Sequence, residues 1–130
     1  MIDGIMKRLE SFAPQRGEGF VDVTLPVVMY IDGGLLELRI TPHAQGYTVA
    51  TTRDMFEEAN GGQAYYFKIF SKWDKTEHYG MEIRDGMICR TYPEEYSVTV
   101  ALNECIRYFI ALDDFILDNE VIGFEDEFPV

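Results

Sequence analysis

Histidines, cysteines and carboxylates are the side chains of this chain whose chemistry could exceed packing, and their spacing narrows what they can do. His43, in Thr41-Pro42-His43, and His78, in Glu77-His78-Tyr79, lie 35 residues apart and show neither His-x-His nor His-Glu-x-x-His spacing. General-base duty needs a positioned partner and a pocket, so both are read as exposed or structural. Cys89 and Cys105 are the two cysteines, without Cys-x-x-Cys spacing or a histidine close in sequence, which argues against metal ligation. Both are expected as buried, reduced thiols. The sequence contains no Gly-x-Ser-x-Gly, no P-loop and no Gly-x-Gly-x-x-Gly. Gly33-Gly34 and Gly61-Gly62 read as turns, because neither is followed by the basic residues a polyphosphate site uses. No catalytic, cofactor-binding or metal site is assigned, and the chain is read as a non-enzyme.

The carboxylates are the compositional oddity. After Arg107 there is no Lys or Arg, while Asp113, Asp114, Asp118, Glu120, Glu125, Asp126 and Glu127 add seven negative side chains. Phe115, Ile116, Val121, Ile122, Phe124 and Phe128 are interleaved with them, which is too apolar for a merely solvating tail. Asp118, Glu120, Gly123 and Asp126 fall at the first, third, sixth and ninth positions of a calcium-loop register. Ile122 at the fifth and Pro129 at the twelfth, where a bidentate Glu should close the cage, break it. A docking surface fits better: carboxylates around aromatic anchors imitate a nucleic-acid backbone and suit a Lys/Arg-lined protein surface. The candidate partner-binding residues are Asp114, Asp118, Glu120, Phe124, Glu125, Asp126, Glu127 and Phe128. A metal-dependent hydrolase or nuclease is a further alternative, and it would need clustered carboxylates in a concave site.

These residues must be positioned by the elements that the periodicity predicts. Ile2, Ile5, Met6, Leu9 and Phe12 fall at helical spacing, and Pro14 and Gly17 end that helix. Val21, Val23 and Leu25 alternate with Asp22 and Thr24 in a half-buried strand; Pro26 implies an edge or a bulge, and the strand resumes through Tyr30. Asp32-Gly33-Gly34 turns the chain into a return strand carrying Leu36, Leu38 and Ile40, and a loop at Thr41–Gly46 leads to a third strand, Tyr47–Thr51. Thr51 or Thr52 caps a short helix, Arg53–Asn60, closed by Gly61-Gly62. Tyr66, Ile69, Phe70 and Trp73 follow at helical spacing, although strand alternation fits 65–72 nearly as well. Met81–Ile83 and Met87–Tyr92 flank Arg84-Asp85-Gly86 as a second hairpin.

The last helix is the clearest element. Ser97 is its candidate N-cap, Val98, Leu102, Cys105, Phe109, Leu112 and Ile116 form its apolar stripe, and Asn103, Arg107, Asp114 and Asp118 its polar one. It reads as the central core helix, with an outer face that could also pair two copies through Tyr108 and Phe115. The expected order is α-βββ-α-α-ββ-α, an α+β fold with a mainly antiparallel sheet of about five strands.

The 130 residues, 47% of them hydrophobic, fit one domain, 1–130, with an acidic segment at 113–130. A net charge of −12 works against direct nucleic-acid or membrane binding and suits a protein partner with a basic surface. Met1–Phe12 lacks a signal-type apolar run, and the cytoplasm is the expected compartment.

The stretch Val23-Thr24-Leu25-Pro26, the strands Leu35–Ile40 and Gly46-Tyr47-Thr48-Val49, and the hairpin leading to a helix at Ala101–Phe115 carry a resemblance. From Val21 to Phe115 the chain resembles a prophage-associated family, domain-of-unknown-function family 1828. Where that family has a Thr-Asp-Asp-Gly turn before a helix, this chain has Thr52-Arg53-Asp54-Met55-Phe56, lacking the second acidic residue and the glycine, so no site is carried over. The resemblance implies a setting of phages, prophages and mobile elements. Small acidic proteins of that setting include inhibitors of host defence, anti-CRISPR proteins among them.

Overall fold

Alternation of apolar and polar residues builds the sheet on which everything else rests. A computed structural model describes residues 2–29, 33–53, 79–84 and 87–121. Helix α1 spans Ile2–Arg8 and tightens into a 3-10 turn at Glu10–Phe12, ended by Ala13 in the left-handed region. Strands β1 (Gln15–Arg16), β2 (Val21–Val28), β3 (Leu35–His43), β4 (Gly46–Thr51), β5 (Glu82–Arg84) and β6 (Met87–Pro93) precede helix α2 (Val98–Val121). The strands form one antiparallel sheet in the order β1-β2-β3-β4-β6-β5. This is the α+β class expected, with six strands in place of about five.

Register decides which residues meet α2. Val21, Val23 and Leu25 lie opposite Ile40, Leu38 and Leu36, and Ile40 also lies opposite Val49. All of these are buried in one cluster with Ile5 and Leu9 of the N-terminal segment and Ala101, Leu102, Cys105, Phe109, Leu112 and Ile116 of α2. Each fully buried Leu, Ile or Phe contributes about 1.5–3 kcal/mol. On the opposite face of β2 and β3, Arg39 donates twice to Asp22, at 2.8 and 2.9 Å, and its guanidinium lies 3.7 Å over the Phe20 ring.

Proline acts as its chemistry requires. The β2–β3 register slips between Leu25 and Val28, around Pro26, which is the bulge expected there. The expected loop at Thr41–Gly46 is corrected, because β3 runs on to His43 and only Ala44 and Gln45 turn the chain. Pro42 is tolerated because β3 pairs with β2 only as far as Ile40, leaving one side of the strand without a ladder partner. Thr51 is buried at the end of β4 and its Oγ accepts the Ile88 N–H at 3.1 Å, so it extends the sheet. The helices expected at 53–60 and around 66–73, and Tyr30 and Asp32, lie outside the described residues apart from Arg53.

Gly46 is required at the β3–β4 turn. Its φ is 153°, and a Cβ there would lie 2.0 Å from the Tyr92 carbonyl oxygen of β6. Gly46→Ala is expected to cost about 3 kcal/mol from strain and overpacking, read as a lowered midpoint in urea denaturation. An unchanged midpoint would contradict the close approach of β4 and β6.

Candidate functional site

Two side chains of opposite charge fix how α2 is rotated above the sheet. Arg90 lies opposite Val49 on the inward face of β6, where alternation would place an apolar residue. It donates to Glu104 of α2 at 2.7 Å and to the Tyr79 carbonyl at 2.6 Å, with its guanidinium 4.5 Å from the Tyr92 ring. Both charges are about three-quarters covered, the side chains being 29% and 25% exposed. Tyr96 donates its hydroxyl to the other Glu104 oxygen, and Tyr47 donates to the Tyr96 carbonyl at 2.6 Å. Tyr47 stacks on Tyr92 at 5.5 Å and Tyr92 meets Tyr96 at 5.1 Å. Burial pushes the Tyr47 phenol up to about 12, and the hydrogen bond to Glu104 raises Tyr96.

Cys105 follows Glu104 on the same inward side. Its thiol hydrogen-bonds the Tyr92 hydroxyl at 3.7 Å, and burial pushes it up to about 11. Cys89 is raised by burial too, and both cysteines are free and buried, as expected. The raised Cys105 thiol favours the protonated form, so the stability it confers is full below the ordinary value of 9.0 and falls as pH rises toward 11.

With Glu104 and Cys105 turned inward, the remaining turns of α2 present a solvent face. Ser97 opens the helix, its Oγ accepting the Val100 N–H at 3.5 Å. Val100, Asn103, Arg107, Ile110, Asp114, Leu117 and Asp118 are all exposed. Arg107, Asp114 and Asp118 form no ion pair among the described residues. Asp114 and Asp118 thus occupy the polar stripe predicted for them. Glu120 lies on the last turn of α2 with its side chain outside the described set, and Phe124, Glu125, Asp126, Glu127 and Phe128 lie outside the described residues. The apolar residues Val100, Ile110 and Leu117, 48%, 44% and 40% exposed, were missed. Their signal was present, since they interrupt the predicted polar stripe at three- and four-residue intervals.

Tyr108 corrects the expected pairing surface. It is completely buried and meets the Phe109 ring edge-on at 5.1 Å, while Phe115 is half-buried against the core. Its hydroxyl-bearing ring lies one turn from Cys105 and Leu112, on the stripe that faces the sheet. No outer face of α2 runs through Tyr108.

His43 is exposed at the end of β3, and its Nε2 lies 3.3 Å from Thr48 Oγ1, which lies 3.1 Å from Thr91 Oγ1. This row of polar groups is open to solvent, without the desolvation or oriented third group that activates a hydroxyl. His78 is outside the described residues. The first four positions of the calcium register, Asp118–Val121, are helical, not looped. Among the described residues no three His, Cys, Asp or Glu side chains converge on a metal position, and no helix is long and apolar enough to cross a membrane.

No family model, curated protein or solved structure matches the chain.

Two measurements check this geometry. Glu104→Ala, which strands a largely covered Arg90, is expected to cost about 2 kcal/mol in chemical denaturation; a neutral outcome would mean that the charge pair does not hold α2. A thiol reagent at pH 8 should find no rapidly reacting cysteine in the native protein and two after denaturation, matching the two in the chain.

Proposed function

We propose that this chain is a non-catalytic binding protein whose acidic surface occupies a basic surface on a protein that handles nucleic acid. The observation that carries this reading is the C-terminal half of α2. There Asp114 and Asp118 stand exposed and unpaired among the described residues, beside exposed Ile110 and Leu117, and no cation follows Arg107 in the chain. Two carboxylates four residues apart on a helix repel by a few tenths of a kcal/mol. A lysine or arginine from a partner removes that repulsion, while the adjacent apolar groups offer area to bury.

Charge of one sign also raises the encounter rate with a basic surface and makes binding fall with salt. The resemblance to a prophage-associated family supports host-defence proteins as the partner class, the anti-CRISPR type of inhibition included.

The test is affinity capture from bacterial lysate, followed by titration of the captured protein. Asp114→Lys/Asp118→Lys should weaken that binding roughly tenfold, at up to about 1 kcal/mol per exposed charge. Thermal stability should stay nearly unchanged, because both positions are exposed. Duplex DNA should compete with the wild-type chain. Equal affinity of both forms across a salt series would overturn the reading.

A further inference from the structure

We infer that the partner engages α2 through an amphipathic helix of its own, laid along an apolar channel and flanked by basic residues that meet Asp114 and Asp118. This inference rests on the acidic docking reading and adds to it the form of the docking element.

The channel begins between α2, the N-terminal segment and β2. There Leu9, Phe12, Leu25, Val100, Leu102 and Ile106 line an open groove of about 270 Å³. Phe12 remains 38% exposed in it. Asn103, which also lines the groove, is followed by Ile106, Ile110 and Leu117 at steps of three, four and seven. Successive residues of a helix turn by about 100°, so these four point in nearly one direction and carry the line on for about 21 Å. Ile110 and Leu117 are exposed and Ile106 is half-buried. Such steps match the side-chain ridges of a second helix, not the two-residue alternation of a strand.

Charge complementarity selects the occupant. Arg107 and Asp114 stand about 40° round the axis from Asn103 and Ile110, and Asp118 follows Asp114 by one turn, so all three border one flank of the apolar line. A helix on that line carries two cations beside Asp114 and Asp118, and an anion about two turns away beside Arg107. A second copy of α2 does not supply the cations, since no Lys or Arg follows Arg107. A uniformly basic extended segment would meet Arg107 with like charge and leave the groove empty. The positive N-terminal end of the incoming helix lies toward the two carboxylates, which runs it antiparallel to α2. A large apolar side chain near its other end fills the groove.

The probe is a synthetic peptide of about 20 residues, with leucines at alternating steps of three and four. It carries two lysines near its N-terminus on one flank and a glutamate further along the same flank. Its binding to the full chain is followed by fluorescence anisotropy up to about 1 mM, and its helicity by circular dichroism. The peptide should bind, gain helix on binding, and lose at least tenfold in affinity against Ile110→Ser/Leu117→Ser. That variant should keep its fold by circular dichroism, because both positions are exposed. A central proline in the peptide should weaken binding at least tenfold as well. No binding, or equal affinity of the serine variant or of the proline peptide, would overturn the inference. If a peptide with serines for its leucines bound equally well and Asp114→Lys/Asp118→Lys still weakened it, the helix would be overturned while the acidic docking reading stood. Equal affinity of the leucine peptide for that lysine variant would overturn both.

Discussion

Arg90 is an arginine on the inward face of a sheet, and its position requires a counter-charge from whatever packs there. Glu104 supplies it from α2, where Tyr96 donates to the other oxygen of the same carboxylate, and the Tyr79 carbonyl accepts a second hydrogen bond from Arg90. A covered guanidinium left alone would be costly, whereas a hydrogen-bonded pair at the edge of the core is tolerated. Apolar packing alone is non-directional and tolerates rotation of a helix about its axis. The charge pair and the Tyr92–Cys105 contact supply direction.

The surface of α2 follows from that rotation. With residues 101, 102, 105, 108, 109, 112 and 116 turned to the sheet, residues 100, 103, 107, 110, 114, 117 and 118 must face water. Most described arginines are committed elsewhere: Arg16 to Asp3, Arg39 to Asp22, Arg84 to Glu82 and Arg90 to Glu104. Arg107 is left on the helix face among carboxylates and aliphatic groups. That mixture of one cation, two anions and three apolar side chains has the composition of a contact surface more than of a solvated one.

Much of the fold was legible because the responsible physics is local. Two-residue alternation marked β2 and β3 on the side chains that end up buried, and Pro26 marked the irregularity in β2 because a missing N–H cannot join a ladder. The apolar stripe of α2 was correct at all six of its positions, Val98 to Ile116. Pro42 misled for the same reason that Pro26 informed. Its effect depends on whether a neighbouring strand reaches that point, which is a property of β2's length and not of β3's own residues. Tyr108 misled because an amphipathic ring suits either water or a core, and here it is fully buried against Phe109 in the core.

Residue order alone determined the acidic balance, the concentration of carboxylates after Arg107, the class of fold and the helical period that places Asp114 and Asp118 on one side. These depend on covalent neighbours and on chain geometry repeated every few residues. Only the tertiary structure decided that Arg90 points inward to Glu104, that Tyr108 is core, and that Val100, Ile110 and Leu117 stay uncovered beside Arg107 and Asp114. Each of those outcomes depends on contacts between segments far apart in the chain, where burial and charge pairing act through space and carry no local signature.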